Sequence, residues 1–238
     1  MGMLSDLMNG TAYTHCVEIG DGKLASVFMS MPAQVAAACA AIQRDPVLAG
    51  TPVHVVGISQ GGLIARALVE ACTNVTVRKL MTFGSPHTGV SAIHNCAWNV
   101  PCLLADRAAR ALVYLDWVQA LLAPAEYFRV FYEAVQYLHS SYFLPFVNNE
   151  APEKRELYRE RLQALEHFRM FKWREDHVVY PSESEWFGML DEQGRLLTME
   201  DTQLYQQDWI GLRNLTEANR TSRIEIPGDH MNIEAWML

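Results

Sequence analysis

Short runs of consecutive apolar residues alternate along this chain with longer segments that repeat their apolar positions at helical spacing. The short runs are rich in β-branched and aromatic residues, which is typical of strands buried in a sheet. The predicted strands are Tyr13–Ile19, Val53–Gly57, Val77–Phe83, Phe168–Trp173 and Arg223–Ile226. Helical periodicity marks Ala33–Arg44 and Leu63–Cys72 between them. Because strands alternate with helices, the pattern predicts the α/β class with a mostly parallel, doubly wound sheet flanked by helices.

The middle of the chain, residues 90–165, differs from its surroundings. It is rich in Tyr, Phe and Leu, and its apolar positions follow a helical spacing: Leu103, Leu104, Ala108, Leu112, Leu115, Val118 and Leu122. We therefore expect a single domain over residues 1–238 with a helical insertion at 90–165. The last residues, Ile233–Leu238, are expected to begin a further helix.

Composition and charge narrow the class of partner. The chain has 238 residues, of which 50% are hydrophobic and 19% are charged, as in an ordinary globular protein. Its formal net charge is −8 and it has no basic cluster, so nucleic acid and anionic membrane surfaces are poor candidate partners. The most apolar stretch, Leu112–Ala123, is interrupted by Asp116 and Gln119 and is shorter than the about 20 residues that a spanning helix needs. We expect no transmembrane segment.

The cysteines and glycan acceptor motifs indicate an oxidising compartment. Five cysteines predict two pairs and one free thiol, and Cys96 and Cys102 are close enough in sequence for a local bridge. No C-x-x-C pair is present, and we expect neither a metal nor another cofactor. Four N-x-S/T motifs begin at Asn9, Asn74, Asn214 and Asn219. Four such motifs together with paired cysteines favour a secretory-type compartment.

One segment carries a recognisable catalytic motif. Gly57, Ser59 and Gly61 form G-x-S-x-G between a predicted strand and a predicted helix, the pattern of a nucleophile elbow. The turn is so tight that we expect side chains at the glycine positions to collide with their surroundings. The serine hydroxyl is then raised above the sheet at the start of a helix. There the backbone N–H of Gln60 and the helix dipole can face a developing oxyanion.

A serine nucleophile needs a histidine base, which in this fold comes late in the chain. His230 is the best candidate, because it is the last histidine and follows the strand Ile224–Ile226 through a Pro-Gly-Asp turn. His54 precedes the elbow within its strand. His87 and His94 lie near the next strand and would give the wrong order.

The acid that orients the base is predicted to be Asp176. It follows the strand Phe168–Trp173, where this fold places the acid of the triad. The weaker candidates are Glu175, Asp201 and Asp229.

Beyond the triad, longer motifs resemble a specific family, the lysosomal palmitoyl-protein thioesterases, nearly from end to end. The most specific are Ser-Glu-Trp-Phe-Gly at 184–188 and Tyr-x-x-Asp-x-x-Gly-Leu at 205–212. The resemblance also covers Val17–Gly20, Ile58–Gly62, Ala125–Tyr127, Leu204–Asp208 and Gly228–His230.

The resemblance implies an α/β-hydrolase fold and a hydrolase that removes long-chain fatty acyl groups from cysteine thioesters on proteins. The family's nucleophile, acid and base fall on Ser59, Asp176 and His230, and its oxyanion donor after the nucleophile falls on Gln60. Its helical insertion forms an apolar groove for the acyl chain, and burial of about 0.8 kcal/mol per methylene would select long chains. The implied partners are S-palmitoylated proteins and long-chain acyl thioesters.

The resemblance also implies disulfides and a lysosomal location, and the acceptor motifs predict glycans. Its disulfides map onto Cys39–Cys72 and Cys96–Cys102, which leaves Cys16 free. Asn74, Asn214 and Asn219 are the expected glycan sites.

The chain departs from the family at its front. Family members begin with a signal peptide and then a strand ending in a His-Gly loop, which supplies the second oxyanion N–H. Nothing similar precedes Leu4. The absent strand would lie between Tyr13–Ile19 and Val53–Gly57, so we expect a truncated chain with impaired catalysis, because loss of one oxyanion donor costs about 10²–10³ in rate.

Two other functions stay open on the sequence alone. One is a lipase or carboxylesterase that uses the same triad on oxygen esters. The other is a protein that binds fatty acid but does not turn over, because the oxyanion loop is absent. Comparing the cleavage of acyl thioesters with that of oxygen esters of equal chain length distinguishes a lipase or carboxylesterase from a thioesterase. Labelling of Ser59 by a fluorophosphonate distinguishes a thioesterase, which reacts, from an acyl-binding protein, which does not.

Overall fold

Four parallel strands form the centre of the molecule. The computed structural model describes residues 11–93 and 100–233 of the chain. The sheet contains β1 (Val53–Ile58), β2 (Val77–Phe83), β3 (His167–Trp173) and β6 (Thr221–Ile226), in that spatial order. Each neighbouring pair is parallel, so the carboxyl ends of all four strands lie along one edge. The predicted α/β class with a mostly parallel sheet is confirmed.

Helices cover this sheet and connect its strands. The described helices are α1 (Lys23–Phe28), α2 (Met31–Arg44), α3 (Gln60–Ala71), α4 (Val100–Leu112), α5 (Asp116–Leu121), α6 (Ala134–Ser140), α7 (Leu144–Val147), α8 (Glu156–Gln163), α9 (Gln203–Gln206) and α10 (Leu212–Glu217). Three short 3₁₀ helices span Ala123–Tyr127, Ser182–Trp186 and Met199–Asp201. A small antiparallel pair joins β4 (Met189–Leu190) to β5 (Leu196–Leu197).

The helix α3 is buried from Gly62 to Glu70 because it packs against β1, β2, α2 and α8. Such burial explains why its sequence is apolar nearly all round rather than along one stripe. The helix α2 is amphipathic and turns Met31, Val35 and Ala38 towards the core. The rigid packing of α3 matters for the site, since this helix begins at the residue after Ser59.

Several element boundaries differ from the predicted ones by a few residues. The helix α2 begins at Met31, ahead of the predicted start, because Pro32 is well suited to a first helical turn. The helix α3 begins at Gln60, because the elbow passes directly from strand to helix. Residues 90–165 are mostly helical where the structure describes them, and only one isolated bridge pairs Val90 with Phe128 there.

The predicted strand Tyr13–Ile19 is wrong. A strand requires a hydrogen-bonded neighbour, and in the described ranges no ladder includes this segment. Side chains hold it instead: the hydroxyl of Tyr13 donates to Asp45 Oδ2 at 2.9 Å, and His15 Nδ1 lies 3.0 Å from the same oxygen. The helix predicted at the end of the chain falls mostly on residues 234–238, outside the described residues.

A disulfide joins Cys39 in α2 to Cys72, which directly follows α3. This is one of the two pairs that the family resemblance implies. The other pair involves Cys96, which lies outside the described residues, and Cys16 is a free, exposed cysteine. Among the helices in the described ranges, none has the length and apolar character needed to cross a bilayer.

Candidate active site

The elbow places Ser59 in a strained conformation between β1 and α3. Its backbone has φ 53° and ψ −126°, outside the regions that residues other than glycine usually adopt. The N–H of Ser59 donates to the carbonyl of Phe83 at 2.7 Å, which ties the elbow to the end of β2. The sequence predicted this strand–turn–helix context.

The glycines around Ser59 differ in how much room the structure leaves for a side chain. A Cβ atom at Gly57 would lie 2.5 Å from the Gly61 carbonyl oxygen, and one at Gly62 would lie 1.7 Å from Ser85 Oγ. At Gly61, in contrast, a Cβ atom would meet no atom within 4 Å. The expected collision therefore holds for Gly57 but is wrong for Gly61, because that residue faces open space. Gly62, outside the five-residue motif, carries the second steric requirement.

The loop after β6 brings His230 to Ser59. His230 Nε2 lies 2.9 Å from Ser59 Oγ, although the two residues are 171 positions apart in sequence. The ring packs beside Trp173, whose indole N–H donates to the carbonyl of Asn232 in the same loop. The imidazole side chain is only 6% exposed, so bulk water has little access to it.

Asp176 completes the constellation on the far side of the imidazole. Its Oδ2 lies 2.5 Å from His230 Nδ1, and its Oδ1 accepts hydrogen bonds from the N–H groups of Val178 and Val179. Burial opposes the charged form of Asp176. The hydrogen bonds from His230, Val179 and Val178 nevertheless hold its pKa below the usual value. Asp176 is therefore a carboxylate that accepts the Nδ1–H of His230.

The other acid candidates have different roles in the structure. Glu175 accepts a hydrogen bond from the N–H of Gly228, and Asp229 accepts from the N–H groups of His177 and His230. Asp201 caps its own 3₁₀ helix through Thr198. None of these three contacts the His230 ring among the described hydrogen bonds.

Two of the other candidate histidines have different surroundings. His54 is an exposed residue of β1. His87 is buried, with its Nε2 3.0 Å from Thr82 Oγ1 and its ring stacked on Phe187. His94 lies outside the described residues.

Gln60 holds neighbouring elements with its side chain as well as starting α3 with its backbone. Its Nε2 donates to the carbonyl of Ser26 and to Gln34 Oε1, and its Oε1 accepts from the hydroxyl of Tyr127. Its backbone N–H was predicted as an oxyanion donor, but these side-chain contacts were not predicted. No sequence pattern marks them, because the partners lie 26 to 67 positions away.

A buried glutamate near the triad was also missed as a site residue. Glu185 is 1% exposed and lies in the 3₁₀ helix Ser182–Trp186, which packs against β3. Burial, followed by the nearby charge of Asp176, raises the pKa of Glu185 to about 10. The signal in the sequence is its place in the Ser-Glu-Trp-Phe-Gly motif, which by itself indicates only the family.

Two cavities in the described part of the chain bear on the site. One, of about 320 Å³, is next to the triad and is lined in part by Asp176, Tyr180 and Glu183. The other, of about 420 Å³, is mostly apolar and lies between α2, α3 and the start of α7, beside the disulfide. Its lining includes Pro32, Val35, Ala36, Ala67, Ala71, Tyr142, Phe143 and Phe146.

The predicted glycan sites differ in exposure. Asn74 and Asn219 are exposed residues outside helices and strands. Asn214 is half-buried within α10, and the Nδ2 atom that would carry a glycan donates to Gln163 Oε1 at 3.0 Å. Asn9 lies outside the described residues.

The parallel sheet, with a serine, a histidine and an aspartate joined beyond its strand ends, is the arrangement of an α/β-hydrolase. The family model for palmitoyl protein thioesterase matches residues 1–230 of the chain. The chain therefore belongs to the palmitoyl-protein thioesterase family, whose members are hydrolases.

Curated relatives agree with this assignment. Palmitoyl-protein thioesterase 1 of Caenorhabditis elegans is 30% identical over 233 residues, which is 95% of this chain and 78% of the relative. Palmitoyl-protein thioesterase 3 of Dictyostelium discoideum is 32% identical over 212 residues, covering 87% of this chain and 71% of the relative. The human lysosomal thioesterase PPT2 is 27% identical over 195 residues, 80% of this chain and 63% of the relative.

Proposed function

We propose that this protein removes long-chain fatty acyl groups, palmitoyl in particular, from cysteine thioesters on proteins through an acyl-enzyme at Ser59. The observation that carries the proposal is the continuous hydrogen-bonded path from Ser59 Oγ through the His230 ring to Asp176, with distances of 2.9 and 2.5 Å. Membership of the thioesterase family supports the choice of substrate.

In the first half of the reaction, Ser59 Oγ attacks the thioester carbonyl while His230 Nε2 takes its proton. Asp176 holds the His230 tautomer and stabilises the imidazolium that forms. Collapse of the tetrahedral intermediate breaks the carbon–sulfur bond. His230 Nε2 gives its proton to the departing sulfur, so the cysteine leaves as a thiol, the imidazole is neutral again, and the acyl group stays on Ser59.

In the second half, a water molecule takes the place of the leaving cysteine. His230 accepts a proton from this water, whose oxygen attacks the acyl-enzyme carbonyl, and Ser59 Oγ leaves with a proton returned from His230. The fatty acid is released and the free serine is restored. In both halves the backbone N–H of Gln60, at the first residue of α3, is proposed to stabilise the oxyanion.

The helical segment 90–165 is proposed to provide an apolar surface for the acyl chain. Tyr142, Phe143, Phe146 and Val147 of this segment line one side of the apolar cavity of about 420 Å³. Ala67, on the α3 side, is eight residues beyond Ser59, or about 12 Å along a helix axis. An acyl chain attached at Ser59 would therefore need to run along α3 to reach this cavity.

The function is tested by comparing two palmitoyl peptides that differ only in the bond, one a cysteine thioester and the other a serine ester. The proposal predicts cleavage of the thioester, a slower reaction with the oxygen ester, and loss of several orders of magnitude in Ser59→Ala. Faster cleavage of the oxygen ester would indicate a lipase or carboxylesterase. Binding of palmitate by a folded protein that cleaves neither peptide would indicate an acyl-binding protein.

A lysosomal or other secretory location is proposed from three facts. A disulfide joins Cys39 to Cys72, Asn74 and Asn219 are exposed acceptor residues, and a relative is named a lysosomal thioesterase. Expression with a secretory leader in eukaryotic cells tests the glycan sites on which this assignment partly rests. We expect a mass decrease on enzymatic removal of N-glycans, and expect it to shrink in Asn74→Gln and Asn219→Gln. Unglycosylated secreted protein would contradict the proposed glycan sites.

A further inference from the structure

Glu185 is a buried carboxyl group without a conventional partner for one of its oxygens. Its Oε2 accepts a hydrogen bond from the N–H of Trp173 at 3.3 Å. Its Oε1 is also buried, and within the described part of the chain no hydrogen-bond partner lies beside it. A buried ionised oxygen left without a donor is costly, so the ionised form fits this position poorly.

The group that faces Glu185 is another carboxyl, that of Asp176. Asp176 is held ionised by His230 and by two backbone N–H groups. Two carboxylates in one buried site repel each other, so one of them keeps its proton. Since Asp176 has the donors, Glu185 is the group that carries the proton, and a protonated Oε1, which otherwise has no partner among the described residues, is then available to donate.

The positive charge of Lys172 does not cancel the raised pKa of Glu185. Lys172 lowers the pKa of Glu185, but this effect is smaller than those of burial and of Asp176, and the net result is a raised value. Lys172 Nζ is also shared between Glu183 and Glu225, at 3.7 Å from each.

We propose that Glu185 is a positioning residue of the active site that, as a neutral carboxylic acid, donates a hydrogen bond to the carboxylate of Asp176. The inference rests on the proposed function, because it assigns Asp176 to the triad. A neutral donor fixes the orientation of Asp176 without placing a second negative charge beside it. A carboxylic acid kept neutral by burial is a known means of supplying such a donor in an active site.

Two variants of Glu185 distinguish a hydrogen-bond donor to Asp176 from a side chain that only fills space. Glu185→Gln offers an N–H to Asp176 and an oxygen to Trp173, as the protonated acid does. Glu185→Met has a similar length but offers neither. The readout is the rate at which a fluorophosphonate labels Ser59 across a range of pH, which requires no acyl thioester.

The proposal predicts that Glu185→Gln labels at the wild-type rate with an unchanged pH profile. Glu185→Met should label about 10- to 100-fold more slowly, the usual effect of losing one hydrogen bond to a charged group. A Glu185→Gln variant as slow as Glu185→Met would overturn the proposal, and so would a Glu185→Met variant as fast as wild type. A move of the acid limb to lower pH in Glu185→Gln would show that the wild-type glutamate is charged, which also overturns it.

A protonated Glu185 also affects how the stability of the fold depends on pH, which can be measured without an activity assay. Because its folded pKa is raised above the unfolded value of 4.5, the group contributes stability at low pH that is lost as pH rises towards about 10. The free energy of unfolding should therefore fall between about pH 7.5 and about pH 9.5, and fall less in Glu185→Gln. Equal slopes in the two proteins would overturn the protonated state.

These measurements also distinguish the inference from the proposed function. A protein that labels as predicted but does not cleave palmitoyl thioesters leaves the role of Glu185 intact and removes the proposed substrate. If the folded wild-type protein is not labelled at Ser59, the assignment of the triad is wrong, and the positioning role of Glu185 is wrong as well.

Discussion

Substituting single glycines beside Ser59 is expected to have very different consequences. Gly62→Ala places a Cβ atom 1.7 Å from Ser85 Oγ and 2.6 Å from Ser85 Cβ, so α3 or the residues after β2 must move. Gly61→Ala meets no atom within 4 Å and replaces glycine by a better helix former within α3. We expect a loss of about 1–3 kcal/mol for Gly62→Ala and none for Gly61→Ala, measured by urea denaturation. Equal stability of the two variants would contradict the packing at the elbow.

The assignment of the acid is tested at the same scale by three amide substitutions. Asp176→Asn should slow labelling of Ser59 on the order of 10³–10⁴-fold, because an amide does not enforce the same tautomer of His230. Asp229→Asn and Glu175→Gln are matched controls, since these exposed acids accept backbone N–H bonds in the neighbouring loops. If labelling is slowed by Asp229→Asn or Glu175→Gln and not by Asp176→Asn, the acid of the triad is misassigned.

Individual residues were predictable where a local pattern marks them. Ser59 stands in a five-residue motif, and Asp176 and His230 each follow a strand by a short turn. The role of Glu185 was not predictable, because it depends on a carboxyl group that the fold brings close in space. The contacts of the Gln60 side chain were hidden for the same reason.

At the scale of elements, the disulfide between α2 and the end of α3 should contribute measurably to stability. The bond closes a loop with a sequence separation of 33, for which the chain-entropy model gives about 3–4 kcal/mol. We expect Cys39→Ser to lower the free energy of unfolding by about that amount under non-reducing conditions. Cys16→Ser is the control, because Cys16 is free and exposed and its replacement should change little. Similar effects of the two substitutions would contradict the pairing.

Long elements followed from the sequence and short ones did not. The strand β2 was predicted with its observed boundaries, and α2 within two residues, because each has a sustained periodicity or a continuous apolar run. The 3₁₀ helix Ser182–Trp186 and the β4–β5 pair are too short to carry a period. Tyr13–Ile19 was predicted as a strand from its composition, but pairing depends on a neighbour that composition does not reveal.

For the whole molecule, buried carboxyl groups should make the fold more stable in mild acid than at neutral pH. Burial raises the pKa of Glu70 and of Glu126 to about 7, and that of Glu185 to about 10. Each group thus contributes stability below the unfolded value of 4.5 that is lost as pH rises through its folded pKa. Burial lowers the pKa of His87, which acts in the opposite sense below 6.5.

Burial and the nearby Arg169 also lower the pKa of the half-buried His167, which acts in the same sense as His87. Over the described residues, three carboxyl groups thus act against two histidines, and because the carboxyl groups titrate over more of the range they predict a net loss of stability from about pH 5 to about pH 7.5. Thermal denaturation at the two pH values checks this. We expect the higher midpoint at the acidic value, which would suit the proposed lysosomal location. A higher midpoint at neutral pH would show that these carboxyl groups are not held protonated.

The central claim is that Ser59 is a nucleophile acylated by long-chain thioesters. The most direct test is mass spectrometry of the protein after exposure to a fluorophosphonate, with and without a palmitoyl thioester and beside Ser59→Ala. The account predicts one adduct, on Ser59, that is absent from the variant and is suppressed by the palmitoyl thioester more than by a short-chain one. A folded protein that gains no adduct on Ser59, or whose labelling ignores the palmitoyl thioester, would contradict it.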